Sequence, residues 1–299
     1  MLGSRFIRLA LANVALCAWG SCSALPPPAS VPPPTMMAEP PGPDSLAPLP
    51  SPWPPADPAV VRKALLDELR TVTLKNCTLR RYGGTDDGGY LMCANLSQGI
   101  ESAYSYGISL EDNWGCDVSR ELKVPIHQYD CFTEERPACE GGQFIFHDEC
   151  VGPKNETVDG QPFDTIASQI DRNGDTGKRL LVKIDVEGAE WDSLMATPDA
   201  VLDRIAQMPM ELHGTNDAKF VEVVRRLKQK FYLVNLHFNN FACDASSAPL
   251  PAFAFQVLWV NKDVGTIDLT GPSPAQMSPL NVPDNPNRRD CQLPVPPGP

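Results

Sequence analysis

The sequence is poor in basic residues. It holds 25 lysines and arginines against 37 aspartates and glutamates, which gives a formal net charge of −12. Nucleic acids and anionic membrane surfaces attract basic proteins, so we expect this chain to bind neither. The sequence also lacks any CxxC pair of cysteines, which argues against structural zinc. The segment DRNGDTGK at 171–178 is not a calcium loop, because Thr176 and Val182 stand where glycine and glutamate are required.

The N-terminal region lacks an apolar run of the roughly 20 residues that a membrane-spanning helix needs. Two arginines precede a shorter apolar stretch at 9–20, and small residues follow up to Ala24. This order is typical of a secretory signal peptide at residues 1–24. One alternative is an uncleaved short anchor, which would be the chain's only membrane tether. Another is a lipoprotein signal with Cys22 as acceptor, against which Trp19 counts.

Proline, by contrast, is abundant and is concentrated towards the two ends of the chain. Residues 25–56 predict a proline-rich, disordered stalk with partly polyproline II conformation, and residues 266–299 predict an irregular, proline-rich tail. The folded domain is therefore expected at 57–265, which is ample for one α/β domain. Asp57 and Pro58 would open its first helix as N-cap and first helical residue.

Ten cysteines are present, and eight of them lie beyond the predicted signal peptide. An even number in an exported chain predicts disulfide bonds and an oxidising compartment, so we expect a secreted protein or a lumenal protein of the Golgi or endoplasmic reticulum. The sequence does not fix the pairing, although a bond between Cys243 and Cys291 would tie the tail to the body. Sequons at Asn76, Asn95 and Asn155 agree with a glycosylated lumenal chain.

Strand and helix patterns alternate along the domain. Apolar spacing predicts helices after Pro58 and over 112–123, 163–170 and 220–230, and strands at 102–109, 125–132, 143–146, 180–186, 208–212, 231–237 and 253–260. A further short strand at 90–92 follows a glycine-rich turn. We therefore expect an α/β fold with a Rossmann-like, seven-stranded, mostly parallel sheet, helices on both faces and an antiparallel edge strand.

The strand that begins at Leu180 ends in a group of acids. In the stretch LLVKIDVEGAEWDSL, apolar residues give way to Asp185, Glu187 and Glu190. Ligands of open α/β sheets bind at the carboxyl ends of the strands, and several carboxylates placed together are costly to bury. These acids are therefore candidates for a functional site. The structural alternative is that they cap the helix that follows.

Two further residues are predicted at the same edge. The strand at 102–109 breaks at Gly107, a helix follows, and the next strand reaches Asp130. A glycine turn followed after about 20 residues by an acid is typical of nucleotide-binding βαβ units, in which the acid binds ribose hydroxyls. A single glycine is weaker evidence than the full three-glycine motif.

Three stretches resemble FkbM-type and related methyltransferase-like domains, which belong to the class I S-adenosylmethionine-dependent methyltransferases. The most specific is KIDVEGAE at 183–190, and the others are DGGY at 87–90 and YSYGIS at 104–109. The likeness runs from about residue 75 to about residue 265. It implies S-adenosylmethionine as the cofactor.

The resemblance also assigns residues to the cofactor site. Gly107 would lie under the methionine part of the cofactor, Asp130 would bind its ribose, and Asp148 would lie near its adenine. The full cofactor set is Tyr106, Gly107, Ser109, Asp130, Cys131 and Asp148.

The catalytic residues that the resemblance implies are Asp185, Glu187, Glu190 and His213. One of the carboxylates or His213 would take the proton of an acceptor hydroxyl, on a glycan or a small molecule of the secretory pathway. We assign no metal, although Asp185, Glu187 and His213 could hold a divalent ion. An alternative is a catalytically inactive secreted module that binds a partner or serves a structural role. A metal-dependent hydrolase would need a ligand spacing that the sequence does not show.

Overall fold

The computed structural model of the chain describes residues 56–133, 136–270 and 278–291. The predicted signal peptide or anchor, nearly all of the predicted stalk and part of the predicted tail lie outside these residues. Within the described ranges, none of the helices combines the length and the apolar character that a membrane span requires.

Helices and strands alternate along the described residues. The helices are α1 (Pro58–Glu68), α2 (Asn113–Leu122), α3 (Ile166–Arg172), α4 (Glu190–Ala196), α5 (Asp199–Leu202) and α6 (Ala218–Lys230). The strands are β1 (Leu79–Tyr82), β2 (Tyr90–Cys93), β3 (Ser102–Tyr106), β4 (Pro125–Asp130), β5 (Gln143–Asp148), β6 (Cys150–Val151), β7 (Glu156–Val158), β8 (Gln161–Asp164), β9 (Leu180–Ile184), β10 (Ile205–His213), β11 (Phe231–Phe238) and β12 (Ala254–Asn261). The first helix starts as predicted, because the Asp57 carboxylate accepts a hydrogen bond from the N–H of Ala59 at 2.8 Å.

Seven strands form one sheet in the order β11-β12-β10-β9-β3-β4-β5. The five strands from β10 to β5 in this order run parallel, whereas β12 pairs antiparallel with both β10 and the edge strand β11. This confirms the predicted α/β fold with a mostly parallel, seven-stranded sheet and an antiparallel pair at its edge. The chain reverses its direction across the sheet between β3 and β9. Connections that leave these two neighbours diverge, which opens a crevice at their carboxyl ends.

Each face of the sheet is covered by different elements. Leu180, Val182 and Ile184 of β9 belong to a core that includes residues of α1, α3, α4, α5 and α6. The intervening Leu181 belongs to a second core, which includes residues of α2 and of the β1–β2 hairpin. Because alternate strand residues point to opposite faces, helices cover both faces as predicted. Burial on both sides also explains why β9 reads as a continuous apolar run.

The helix predicted from Phe163 begins at Ile166 instead. Phe163 lies in β8, which pairs with β6 and β7 in a separate three-stranded sheet. Thr165 is the N-cap of α3, and its hydroxyl accepts a hydrogen bond from the N–H of Ser168 at 3.2 Å. The apolar spacing extended the predicted helix too far because Phe163 is itself partly buried.

The eight cysteines beyond the predicted signal peptide form four disulfide bonds. The pairs are Cys77–Cys93, Cys116–Cys139, Cys131–Cys150 and Cys243–Cys291. They agree with folding in an oxidising, secretory-type environment. The last pair confirms the expected link between the tail and the body, and the third joins the end of β4 to the start of β6.

Two of the three sequons use their asparagine amide inside the fold. Asn76 donates to the carbonyl of Val264 at 2.8 Å and accepts a backbone N–H. Asn95 likewise donates to a backbone carbonyl and accepts a backbone N–H. Asn155 is exposed, and its side chain hydrogen-bonds Asp164.

The tail segment 278–291 places a buried acid against the sheet. Oδ1 of Asp284 accepts a hydrogen bond from Gln256 of β12 at 2.8 Å, and Oδ2 lies 3.6 Å from Nδ1 of His237 in β11. Burial, together with the charge of nearby Asp87, raises the pKa of Asp284 to about 7. This carboxyl group therefore takes up a proton at a pH where an exposed aspartate is ionised.

Replacing Asp284 with asparagine should stabilise the fold at neutral and alkaline pH. Because the folded-state pKa exceeds the unfolded value of about 4, the folded protein holds a proton that the unfolded chain lacks between about pH 4 and pH 7. Wild-type stability therefore falls as pH rises through this window, and Asp284→Asn escapes that loss. The free energy of unfolding of the variant minus that of wild type should therefore increase by about 3 to 4 kcal/mol as the pH rises from about 4 to about 8. Urea denaturation measures it, and a difference independent of pH would contradict the expectation.

Candidate functional site

A cavity of about 630 Å³ opens at the carboxyl edge of the sheet. Its lining includes Gly107 and Ser109 after β3, Asp130 at the end of β4, and Asp185 and Glu187 after β9. The structure thus brings together five residues that the sequence placed at one sheet edge. Small-molecule sites typically have volumes of about 300–1,000 Å³, so the cavity is large enough for a cofactor-sized ligand.

Gly107 lies where the ends of β3 and β9 come closest. Its φ is +71°, and a Cβ here would lie 1.6 Å from the carbonyl oxygen of Asp185. The N–H of Asp185 donates to the carbonyl of Tyr106 at 3.1 Å, and the Lys183 ammonium donates to the carbonyls of Tyr106 and Gly107. Glycine is required because the two strand ends meet without room for a side chain.

The Asp130 carboxylate lines the cavity, but backbone groups already occupy it. Oδ2 accepts the N–H groups of Ile108 and Ser109 at 3.1 and 3.2 Å, and Oδ1 accepts those of Phe132 and Thr133 at 2.8 and 3.0 Å. A carboxylate offers about four acceptor positions. Asp130 therefore joins the loops after β3 and β4, and a ribose hydroxyl would have to replace one of these donors. Its contact with ribose stays a prediction.

The other predicted cofactor residues lie in different surroundings. Tyr106 is buried in β3, with its ring 5.1 Å from that of Tyr129, and is not part of the cavity lining. Cys131 lines the cavity together with its disulfide partner Cys150. Asp148 is exposed at the end of β5, outside the lining. Four of the six predicted cofactor residues therefore share the cavity, and Tyr106 and Asp148 do not.

The buried Glu190 and the partly buried His213 form a pair behind the turn that follows β9. Glu190 accepts the N–H of Val186 at 2.9 Å through Oε1 and the N–H of Gly188 at 3.0 Å through Oε2. Its Oε1 also lies 3.0 Å from Nδ1 of His213. Burial opposes the charged imidazole, but the hydrogen bond and the charge of Glu190 raise the pKa of His213 to about 9. Glu190 therefore stabilises the turn before α4 and orients His213. It does not act as the capping alternative predicted, because the N-cap of α4 is Ala189 and has no side-chain cap hydrogen bond.

Asp185, Glu187 and His213 come together at the mouth of this turn. One oxygen of each acid and one ring nitrogen of His213 lie within 4.8 Å of one another. Oδ2 of Asp185 accepts a hydrogen bond from the Tyr90 hydroxyl at 2.8 Å and lies 3.4 Å from Nζ of Lys183. The Glu187 side chain is 86% exposed, with Oε2 3.5 Å from Nε2 of His213. The four predicted catalytic residues therefore form one group.

Two acids that were missing from the predicted site belong to the same group. Glu211 is only 3% exposed, accepts a hydrogen bond from Asn239 at 2.7 Å, and lies 3.7 Å from Nε2 of His213. Burial and the charge of Asp185 raise the pKa of Glu211 to about 8, and the same two causes raise the pKa of Asp87. Glu211 could have been predicted from the sequence. Residues two apart on a strand share a face, and His213 was already a candidate.

Comparison of the chain with protein-family models, with curated proteins and with solved structures finds no match. The likeness to methyltransferase-like domains therefore rests on the residues quoted above. The function is therefore inferred from the geometry of the cavity and of the acid group.

Proposed function

We propose that the chain is an S-adenosylmethionine-dependent methyltransferase that methylates a hydroxyl of a glycan or another small molecule in the secretory pathway. One observation carries the proposal. The cavity lies at the carboxyl ends of β3, β4 and β9, beside the reversal in strand order. In Rossmann-like sheets this is where nucleotide-type ligands bind. The KIDVEGAE stretch supplies the last two residues of β9 and the acids that follow it.

The cavity lining offers suitable contacts for two parts of such a cofactor. Leu110 and Phe132 present exposed apolar side chains that a flat base could cover. Asp185 and Glu187 bring negative charge to the cavity, which favours a positively charged sulfonium centre. When bound, S-adenosylmethionine supplies an activated methyl group.

The protein's part is to hold the acceptor oxygen in line with that methyl group and to accept its proton. Asp185 suits this task because it belongs to both the cavity lining and the acid group. Tyr90 and Lys183 fix its Oδ2, whereas its Oδ1 accepts no hydrogen bond within the described part of the chain. We place the acceptor hydroxyl beside this free oxygen.

Removing the ring of Phe132 should weaken cofactor binding about fivefold, because an aromatic stacking contact of about 1 kcal/mol is lost. Phe132 is 82% exposed, so Phe132→Ala should leave stability unchanged. Calorimetric titration of the full chain with S-adenosylhomocysteine measures the dissociation constant. Phe241→Ala is the matched control, because Phe241 is 53% exposed and lies outside the cavity lining. Equal losses in both variants would reject the proposed position of the cofactor.

One observation favours the alternative of a binding module without catalysis. All four acceptor positions of Asp130 are taken by backbone N–H groups, which leaves none for a ribose hydroxyl. The same titration separates the two functions. Wild-type protein that releases no heat with S-adenosylhomocysteine would support the module and reject the methyltransferase.

A further inference from the structure

We propose that Asp185, Glu187 and His213 form a binding site for a divalent metal ion. Asp185 and Glu187 follow the end of β9, and His213 ends the neighbouring parallel strand β10. The pairing of Ile184 with Met210 therefore brings the two segments together. Among the described residues these three are the one set of three acids or histidines whose donor atoms meet, all within 4.8 Å. Two ligands of one ion lie at most about 4.2 to 4.6 Å apart, so small side-chain rotations would close the set around an ion.

The His213 ring is held in the way that metal-bound imidazoles usually are. Its Nδ1 lies 3.0 Å from the buried Glu190 carboxylate, which leaves Nε2 directed towards Glu187 at 3.5 Å and Glu211 at 3.7 Å. Ligating histidines commonly give their second ring nitrogen to a carboxylate, which fixes the orientation of the ring. The N–H of Gly188 in turn holds Glu190. The hydrogen bonds that would orient His213 as a metal ligand are therefore already present in the structure.

A second observation is a buried carboxylate beside the three donors. Glu211 is 3% exposed, and only its Oε1 accepts a hydrogen bond from the described residues. The nearby acids Asp87 and Asp185 repel its charged form, whereas His213, 3.7 Å away, attracts it. A divalent ion next to Glu211 would add positive charge to this group of carboxylates.

The types of ligand atom limit which metal ions the site can bind. Magnesium and calcium ions take oxygen ligands, whereas copper(I) and iron–sulfur centres favour thiolates. Two carboxylates and one imidazole, with Glu211 close by as a third carboxylate, suit a first-row ion such as Mn²⁺. If the proposed function holds, an ion at Asp185 would also make the acceptor hydroxyl more acidic. That role rests on the proposed function, but the metal site itself does not.

Titration of the full chain with Mn²⁺ alone, followed by the electron paramagnetic resonance signal of free Mn²⁺, tests the site. Wild type should bind one ion, and Glu187→Gln should weaken binding by at least about tenfold. Glu187 is exposed, so this variant should fold normally. Glu140→Gln, an equal change at another exposed glutamate, should bind like wild type. No saturable binding by wild type, or equal affinities of Glu187→Gln and wild type, would overturn the proposal.

A paired titration keeps this test separate from that of the proposed function. Mn²⁺ is titrated without cofactor, and S-adenosylhomocysteine is titrated in the presence of a chelator. Binding of Mn²⁺ alone would support the metal site and reject the methyltransferase. Binding of S-adenosylhomocysteine alone would support cofactor binding and reject the metal site.

Discussion

Alanine at position 107 is expected to cost at least about 4 kcal/mol of folding free energy, among the largest effects of a single substitution. Two causes add. The backbone φ of +71° disfavours any L side chain by about 1 to 2 kcal/mol. The new Cβ would also lie 1.6 Å from the carbonyl oxygen of Asp185, so β3 and β9 would have to move apart. Urea denaturation of wild type and Gly107→Ala measures the difference.

Gly99 provides a matched control for this substitution. Its φ is +75°, nearly that of Gly107, but a Cβ there meets no atom within 4 Å. Gly99→Ala should therefore lose only the conformational cost of about 1 to 2 kcal/mol. The difference between the two variants isolates the contact between the strand ends. Similar losses in both would show that the edge of the sheet can relax around an added methyl group.

Asparagine at position 185 is expected to lower turnover by about 10² to 10³-fold and to leave cofactor binding within a few-fold of wild type. The substitution keeps the shape of the side chain and its hydrogen bond with Tyr90 but removes the negative charge. In the proposed reaction, Asp185 orients and deprotonates the acceptor, whereas the proposed position of the cofactor also involves other residues of the cavity lining. Transfer of a labelled methyl group to a panel of sugars and simple alcohols measures turnover, and calorimetry with S-adenosylhomocysteine measures binding.

Asp192→Asn is the control for the change of charge. Asp192 lies in α4, seven residues further along, and its carboxylate binds Lys219 on the exposed surface. Loss of this surface ion pair should cost less than about 1 kcal/mol and leave turnover unchanged. Wild-type turnover in Asp185→Asn would remove this residue from the proposed mechanism.

The main sheet was predictable because its strands carry strong periodic patterns. The apolar run of β9 and the apolar spacing in α6 arise directly from burial, and hydrophobic periodicity is the clearest pattern in a sequence. The small sheet of β6, β7 and β8 was missed for the same reason. Residues such as Glu156 and Thr157 are polar and largely solvent-accessible, so they show no apolar alternation. The bond between Cys131 and Cys150 braces this region, and pairing of cysteines is not readable from sequence.

The sequence predicted at which edge of the sheet the candidate site lies, but not which contacts its residues make. Gly107, Asp130 and Asp185 follow strands of one sheet, so topology alone brings them together. The four backbone donors on Asp130 depend on loop conformation, which no pattern in the sequence specifies. The register between β9 and β10 places Asp185 and Glu187 beside His213, and such a register relates distant segments of the chain.

The disulfide between Cys131 and Cys150 makes the wall of the cavity sensitive to where the chain folds. Cys131 directly follows Asp130, so one covalent bond anchors the loop whose carboxylate organises the cavity floor. In the reducing cytosol this bond does not persist. A chain that folds under oxidising conditions therefore closes the loop after β4 covalently, whereas a chain kept under reducing conditions leaves it joined to the cavity only by hydrogen bonds.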